Sequence, residues 1–335
     1  MKIIVDMMGG DNAPLAPLAG AALAIQEYGV EILAVGNEEV LRKAAAEQNI
    51  STAGMTFVHC TETIEMCDEP ALAVRRKKNS SIVVAMNLLK DGTGDAFVSA
   101  GSTGAVHVAA SLILRTLPNV KRPALAIIVP SSKQPYLLMD GGANVECRAE
   151  MFATFAVMGS CYMNKVQGIA NPTVALANNG VEESKGPELY RNAHQLLKKT
   201  PGIQFIGNIE PRDVPYAKAD VVVCDGFTGN VFLKLTEGVA GMLMGMLKDI
   251  FKANLAGNIA YFLVKKGMGN LKSLMDSEAH GGAPLLGARK TVIKAHGCSE
   301  AYGIKNAIRQ AKTCVESDLC GTMETALLEM TPAAE

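Results

Sequence analysis

The chain has 335 residues, 49% of them hydrophobic, only 19% charged and 5% aromatic, with no Trp and a formal net charge of -1. That length and apolar content exclude intrinsic disorder and a staple-dependent mini-domain. The charge balance and scarce aromatics argue against a nucleic-acid binder.

The first residues, Met1-Lys2-Ile3-Ile4-Val5-Asp6, read directly as a strand. They lack the basic-then-apolar pattern of a signal peptide, so a cytoplasmic protein is expected. Apolar or β-branched runs predict further strands over 30–35, 55–60, 96–100, 124–130, 136–140, 173–177, 204–208, 220–225 and 292–295. Several are apolar throughout, as strands covered on both faces are. Helical patterns fall between them, over 13–28, 38–48, 80–90, 103–115, 148–166, 188–199, 229–252 and 299–315. The alternation predicts an open, mostly parallel α/β sheet with right-handed crossovers, read as one large domain over 1–335.

Residues 238–275 depart from this pattern, with five Met, five Lys and one Asp. One reading is a long helix packed on a dimer partner or the core. The other is an amphipathic hairpin that touches a membrane surface, an acyl chain or an acidic carrier. No run reaches the roughly 18 apolar residues of a membrane-spanning helix.

In open α/β sheets, ligands bind beyond the carboxyl ends of the strands. Six loops there are rich in Gly and small polar residues. They are Met7-Met8-Gly9-Gly10-Asp11-Asn12, Ser99-Ala100-Gly101-Ser102-Thr103-Gly104, Asp140-Gly141-Gly142-Ala143-Asn144, Asn178 through Gly186, Cys224-Asp225-Gly226-Phe227-Thr228-Gly229-Asn230, and Lys294-Ala295-His296-Gly297-Cys298-Ser299. Gly lets backbone N–H groups approach an anion, so the six together predict a phosphate-like site along one sheet edge. No G-x-G-x-x-G, P-loop, H-E-x-x-H or G-x-S-x-G motif is present, and the eight Cys show no zinc spacing. No cofactor and no metal are expected.

Lys185, beside Gly186, is a point-charge candidate for holding phosphate, and the Ser102-Thr103 loop is the other. Asn230 and His296 are candidates to stabilise an oxyanion or a departing sulfur. Asp6, Asp11, Asp140, Asn144 and Asp225 are expected to orient these donors, and Gly9, Gly10, Gly101 and Gly104 to open the loops. His280, before Gly281-Gly282-Ala283-Pro284, is a weaker candidate.

Together these segments resemble the bacterial phosphate acyltransferases, which convert acyl-[acyl carrier protein] and inorganic phosphate into acyl phosphate for phospholipid synthesis. Further segments carry the likeness: Ala73-Val74-Arg75-Arg76-Lys77-Lys78-Asn79-Ser80-Ser81, Ala219-Asp220-Val221-Val222-Val223 and Gly281-Gly282-Ala283-Pro284-Leu285-Leu286-Gly287. Asn12, Ser102, Asn179 and Pro187 depart from the usual family residues. The resemblance implies a three-layer α/β/α architecture, similar to phosphate acetyltransferases and isopropylmalate dehydrogenases. It also implies a homodimer, acyl carrier protein as donor and no nicotinamide. Phosphate would attack the thioester directly, with the thiolate leaving. A covalent route through Cys147 or Cys224 is the chemical alternative, and both are expected instead to be buried structural thiols. Competing readings are a short-chain acyl-CoA:phosphate acyltransferase and a carrier- or membrane-binding scaffold.

Overall fold

The computed structural model describes residues 1–274 and 277–330. Among the described residues, twelve strands form two sheets. The strands are β1 (Lys2–Asp6), β2 (Glu31–Gly36), β3 (Met55–His59), β4 (Ala96–Ser99), β5 (Ala124–Leu125) and β6 (Ile127–Val129). They continue with β7 (Tyr136–Met139), β8 (Thr173–Ala177), β9 (Gln204–Ile209), β10 (Val221–Val223), β11 (Ala283–Leu286) and β12 (Thr291–Lys294). The first sheet runs β3-β2-β1-β4-β12-β11-β5 and the second β6-β7-β10-β8-β9. Most pairs are parallel; only β11 with β12, β11 with β5, and β6 with β7 run antiparallel.

The strands are apolar on both faces because each face has its own core. On β1, Ile3 and Val5 join one buried cluster while Ile4 joins another. On β7, Leu137 and Met139 join that same first cluster, while Tyr136 and Leu138 join a third. The strand period of two sorts them. The first cluster therefore unites the two sheets, together with helices Ala149–Lys165 and Ala301–Glu316.

Three expectations need correction. The run 124–130 is not one strand: Ala126 separates β5, in the first sheet, from β6, in the second. The six Gly-polar loops therefore lie on two sheets, three beyond β1, β4 and β12 and three beyond β7, β8 and β10. The strand β11 and the helices Pro70–Arg76 and Leu319–Leu328 complete the fold beyond the predicted elements.

Two helices, Gly226–Lys252 and Leu255–Leu274, pack on each other as a hairpin. Its surface is apolar and uncovered in the single chain: Phe262 is 78% exposed and Leu263 76%. Among the described residues, no helix is long and apolar enough to cross a membrane.

Candidate active site

The site begins with Asp140, at the end of β7. Its carboxylate is fully buried and accepts from five donors. Oδ1 takes the N–H groups of Leu125, Gly142 and Ala143, each at 3.0 Å. Oδ2 takes Asn144 N at 2.7 Å and Asn144 Nδ2 at 2.8 Å. Leu125 lies in β5, so this one side chain ties the Gly141–Asn144 turn to the first sheet. The next loop closes against it. A Cβ on Gly229 would come 1.9 Å from the Asp140 carbonyl oxygen, so only glycine lets the helix Gly226–Lys252 approach this closely. Asp225 caps that helix, Oδ1 accepting Thr228 N at 2.8 Å, and Oδ2 also accepts the Tyr190 hydroxyl.

Across the gap, Asp6 ends β1 with its carboxylate buried. It accepts Ser99 Oγ at 2.7 Å and Met8 N at 3.1 Å. Burial raises its pKa, and hydrogen bonds from Ser99, Ser81, Met8 and Gly9 oppose that rise. Gly9 and Gly101 touch: a Cβ on Gly9 would meet Asp6 Oδ2 at 2.4 Å and Gly101 N at 2.7 Å. Gly10 adopts φ +100°, a left-handed conformation that brings it against Ala100 and Gly297 O.

Between the two sheets opens a cavity of about 510 Å³. Its lining includes four predicted residues, Asp11, Thr103, Asn230 and His296, together with Gly141 and Gly142. The Asn230 side-chain amide has no protein partner among the described hydrogen bonds, so it is a free donor and acceptor. One wall is apolar, built by Leu125, Ile127, Ile128, Val129 and Leu233. A second hollow of about 610 Å³ lies on the other side of the helix Gly226–Lys252, lined by Tyr190, Phe227, Val231 and Leu235.

The other predicted residues lie apart from the lining. Asp6, Asp140, Asn144 and Asp225 are buried anchors beneath the loops. Ser102 is also buried, and its hydroxyl is used as the helix cap, accepting Ala105 N at 3.4 Å. Gly104 is a packing position, where a Cβ would meet Pro70 at 2.6 Å. Lys185 is exposed on the loop beyond β8, packed over Gly180, and lines neither hollow. The side chain of His280 lies outside the described residues. Burial pushes the Cys147 thiol up to about 12 and raises that of Cys224 well above its ordinary value. Neither is a ready nucleophile.

Sequence reading missed Lys294 as a site residue and gave it only as the first member of the last loop. It ends β12, is 7% exposed, and lines the cavity. Its Nζ donates to Ala100 O at 3.1 Å and to Ala295 O. An ammonium has three N–H donors, so one remains for a ligand. Desolvation lowers its pKa to about 8, opposed by the nearby charges of Asp6 and Asp11. The signal for it was present: a lysine between the β-branched run Thr291-Val292-Ile293 and Ala295, at the end of a doubly covered strand.

This two-sheet frame is known from solved structures. A phosphotransacetylase from Streptococcus pyogenes superimposes with a TM-score of 0.64 at 16% identity, covering 96% of this chain and 94% of that one. A branched-chain phosphotransacylase from Enterococcus faecalis V583 gives 0.56 at 13% identity, covering 94% and 99%. These likenesses show the fold. Sequence relatives are closer. The phosphate acyltransferase of Alkaliphilus oremlandii is 43% identical over 311 residues, 93% of this chain and 92% of that one. That of Clostridioides difficile is 44% identical over 311 residues, 92% and 91%. Residues 1–322 also match the family model described as "Fatty acid synthesis protein". With the match running through every loop of the site, the chain belongs to the phosphate acyltransferase family of fatty acid synthesis proteins.

Proposed function

We propose that this enzyme transfers a fatty acyl group from acyl-[acyl carrier protein] to inorganic phosphate, giving acyl phosphate for phospholipid synthesis. The observation that carries this reading is the composition of the cavity. A nearly buried ammonium, Lys294, shares one space with the free Asn230 amide, His296 and a wall of aliphatic side chains. An acyl thioester and a phosphate need that combination.

A phosphate oxygen forms a bond to the thioester carbonyl carbon, and the carbon–sulfur bond then breaks. The sulfur leaves as thiolate, which needs no strong acid because thiols ionise near pH 8.5. Lys294 holds the phosphate by charge, and the Asn230 amide donates to the carbonyl oxygen as negative charge builds there. His296, in the same cavity, is the candidate to protonate the departing sulfur. Lys185 is a further candidate cation for phosphate, exposed on the loop beyond β8, and its ammonium has no ion-pair or hydrogen-bond partner among the described residues.

The test is incubation with acyl carrier protein thioester and labelled phosphate, alongside an acyl-CoA arm. Label is expected in acyl phosphate, with the carrier thioester preferred. No labelled acyl phosphate in either arm overturns the reading. Preference for short acyl-CoA leaves the chemistry and moves the donor.

The hairpin belongs to the same proposal. Its uncovered apolar residues, with Lys265 and Lys266 beside them, suit contact with an anionic membrane surface where the lipid product is used. Lys265→Gln with Lys266→Gln is expected to weaken binding to anionic vesicles roughly thirtyfold in a flotation assay and leave soluble turnover within about twofold, since each basic residue near such a surface contributes about 1 kcal/mol. Equal loss of both assigns the hairpin to structure or to the homodimer that the family resemblance implies.

A further inference from the structure

The eight cysteines divide sharply by environment. Burial pushes Cys60 and Cys161 up to about 11 and Cys147 and Cys314 up to about 12, and also raises Cys224 and Cys320. Thiols held in that state are poor nucleophiles at neutral pH. Two cysteines are exposed, Cys67 and Cys298. Cys298 alone of these two has a base at hand: His296 Nδ1 lies 3.0 Å from its Sγ. Both members of the pair line the 510 Å³ cavity, and so does the Lys294 ammonium. A thiol, a base and a cation thus share one solvent-open space.

We propose that Cys298 is a modification site that exchanges with small disulfides of the glutathione type, and that the resulting cap closes the cavity. In this step His296 Nδ1, 3.0 Å away, accepts the thiol proton. The thiolate attacks one sulfur of the disulfide, a new S–S bond forms to Cys298, and the old S–S bond breaks. The second sulfur leaves as a thiolate and recovers the proton from His296. One thiol is consumed and one released, and the small disulfide is the only co-reactant. A dithiol reductant reverses the step. A tripeptide cap is bulky and anionic. Its carboxylates would sit near Lys294, in the space the phosphate and thioester need. The closure half of this proposal rests on the function proposed above; the reactivity half does not.

The experiment treats the whole protein with glutathione disulfide and follows two readouts. Peptide mass mapping is expected to show the glutathionyl adduct on Cys298 forming about tenfold or more faster than on Cys67, which has no such base beside it. Acyl-phosphate formation is expected to fall in proportion to Cys298 occupancy and to return on dithiothreitol treatment. In Cys298→Ser, the treated-to-untreated activity ratio is expected to stay near one, whatever the variant's own rate. Equal or faster labelling of Cys67 overturns the reactivity. Full Cys298 occupancy with unchanged activity overturns the closure. An untreated protein without acyl-transfer activity would instead overturn the proposed function, while the mass map still decides the reactivity of Cys298.

Discussion

Lys294→Met is expected to lower phosphate-dependent acyl transfer by about 10²–10³-fold, the loss usual when one preorganised electrostatic group is removed from an active site. Fold stability should change little, because two effects oppose each other. Keeping an ammonium with a pKa near 8 protonated at neutral pH, against 10.5 in the unfolded chain, costs about 3 kcal/mol. Methionine relieves that cost, but strands the carbonyls of Ala100 and Ala295 that the ammonium had satisfied, at about 1–3 kcal/mol each. The pH behaviour separates the two roles. Above pH 8 the folded protein loses the Lys294 proton while the unfolded chain keeps it. Native stability from this group therefore rises between about pH 8 and 10.5, and the acyl-transfer rate falls through the same window. The variant should lack that alkaline limb in its residual rate. Activity within threefold of the parent would remove Lys294 from the phosphate site, and gross unfolding would make it a structural lysine.

Why Lys294 escaped notice while its neighbour did not is a matter of residue statistics against position. Lysines are almost always solvated, so a single sequence offers no reason to bury this one. Its strand gave the clue, since Thr291-Val292-Ile293 is β-branched throughout and both neighbouring strands, β4 and β11, are buried. The regular frame was readable for the same reason. Lys2–Asp6, Thr173–Ala177 and Glu188–Lys199 stand where their hydrophobic periods put them. The division into two sheets was not readable. Leu125 and Ile127 are both apolar with only Ala126 between them, and Ala126 N bonds to Pro284 O. That partner lies in β11, whose second residue is a proline, a signal against a strand interior. The loops carried their ligand-edge character in composition alone. Which members reach the cavity depends on the approach of two sheets distant in sequence, so Asn230 and His296 come together with Lys294 while Ser102 turns inward as a cap.

Asp140→Asn should behave in the opposite way to Lys294→Met, losing stability first. Every acceptor position of the buried carboxylate is used, three donors on Oδ1 and two on Oδ2. An amide nitrogen in place of either oxygen points donors at donors. With the side chain flipped to its better orientation, Leu125 N, Gly142 N and Ala143 N keep their acceptor, and both Asn144 donors lose theirs. The expected cost is about 2–4 kcal/mol, and a fall in melting temperature of roughly 3–6 °C for a chain of this length. The same turn positions Gly141 and Gly142 in the cavity wall, and Gly142 packs on Asn230. Loosening it should therefore raise the KM for both substrates and lower kcat together, as displaced binding groups do. Differential scanning calorimetry beside steady-state assays reads both effects. A variant that melts like the parent yet is inactive would place Asp140 in the chemistry itself. A variant that melts lower and works proportionately less well would fix it as the tie between the two sheets, holding the cavity to the width that an acyl thioester and a phosphate share.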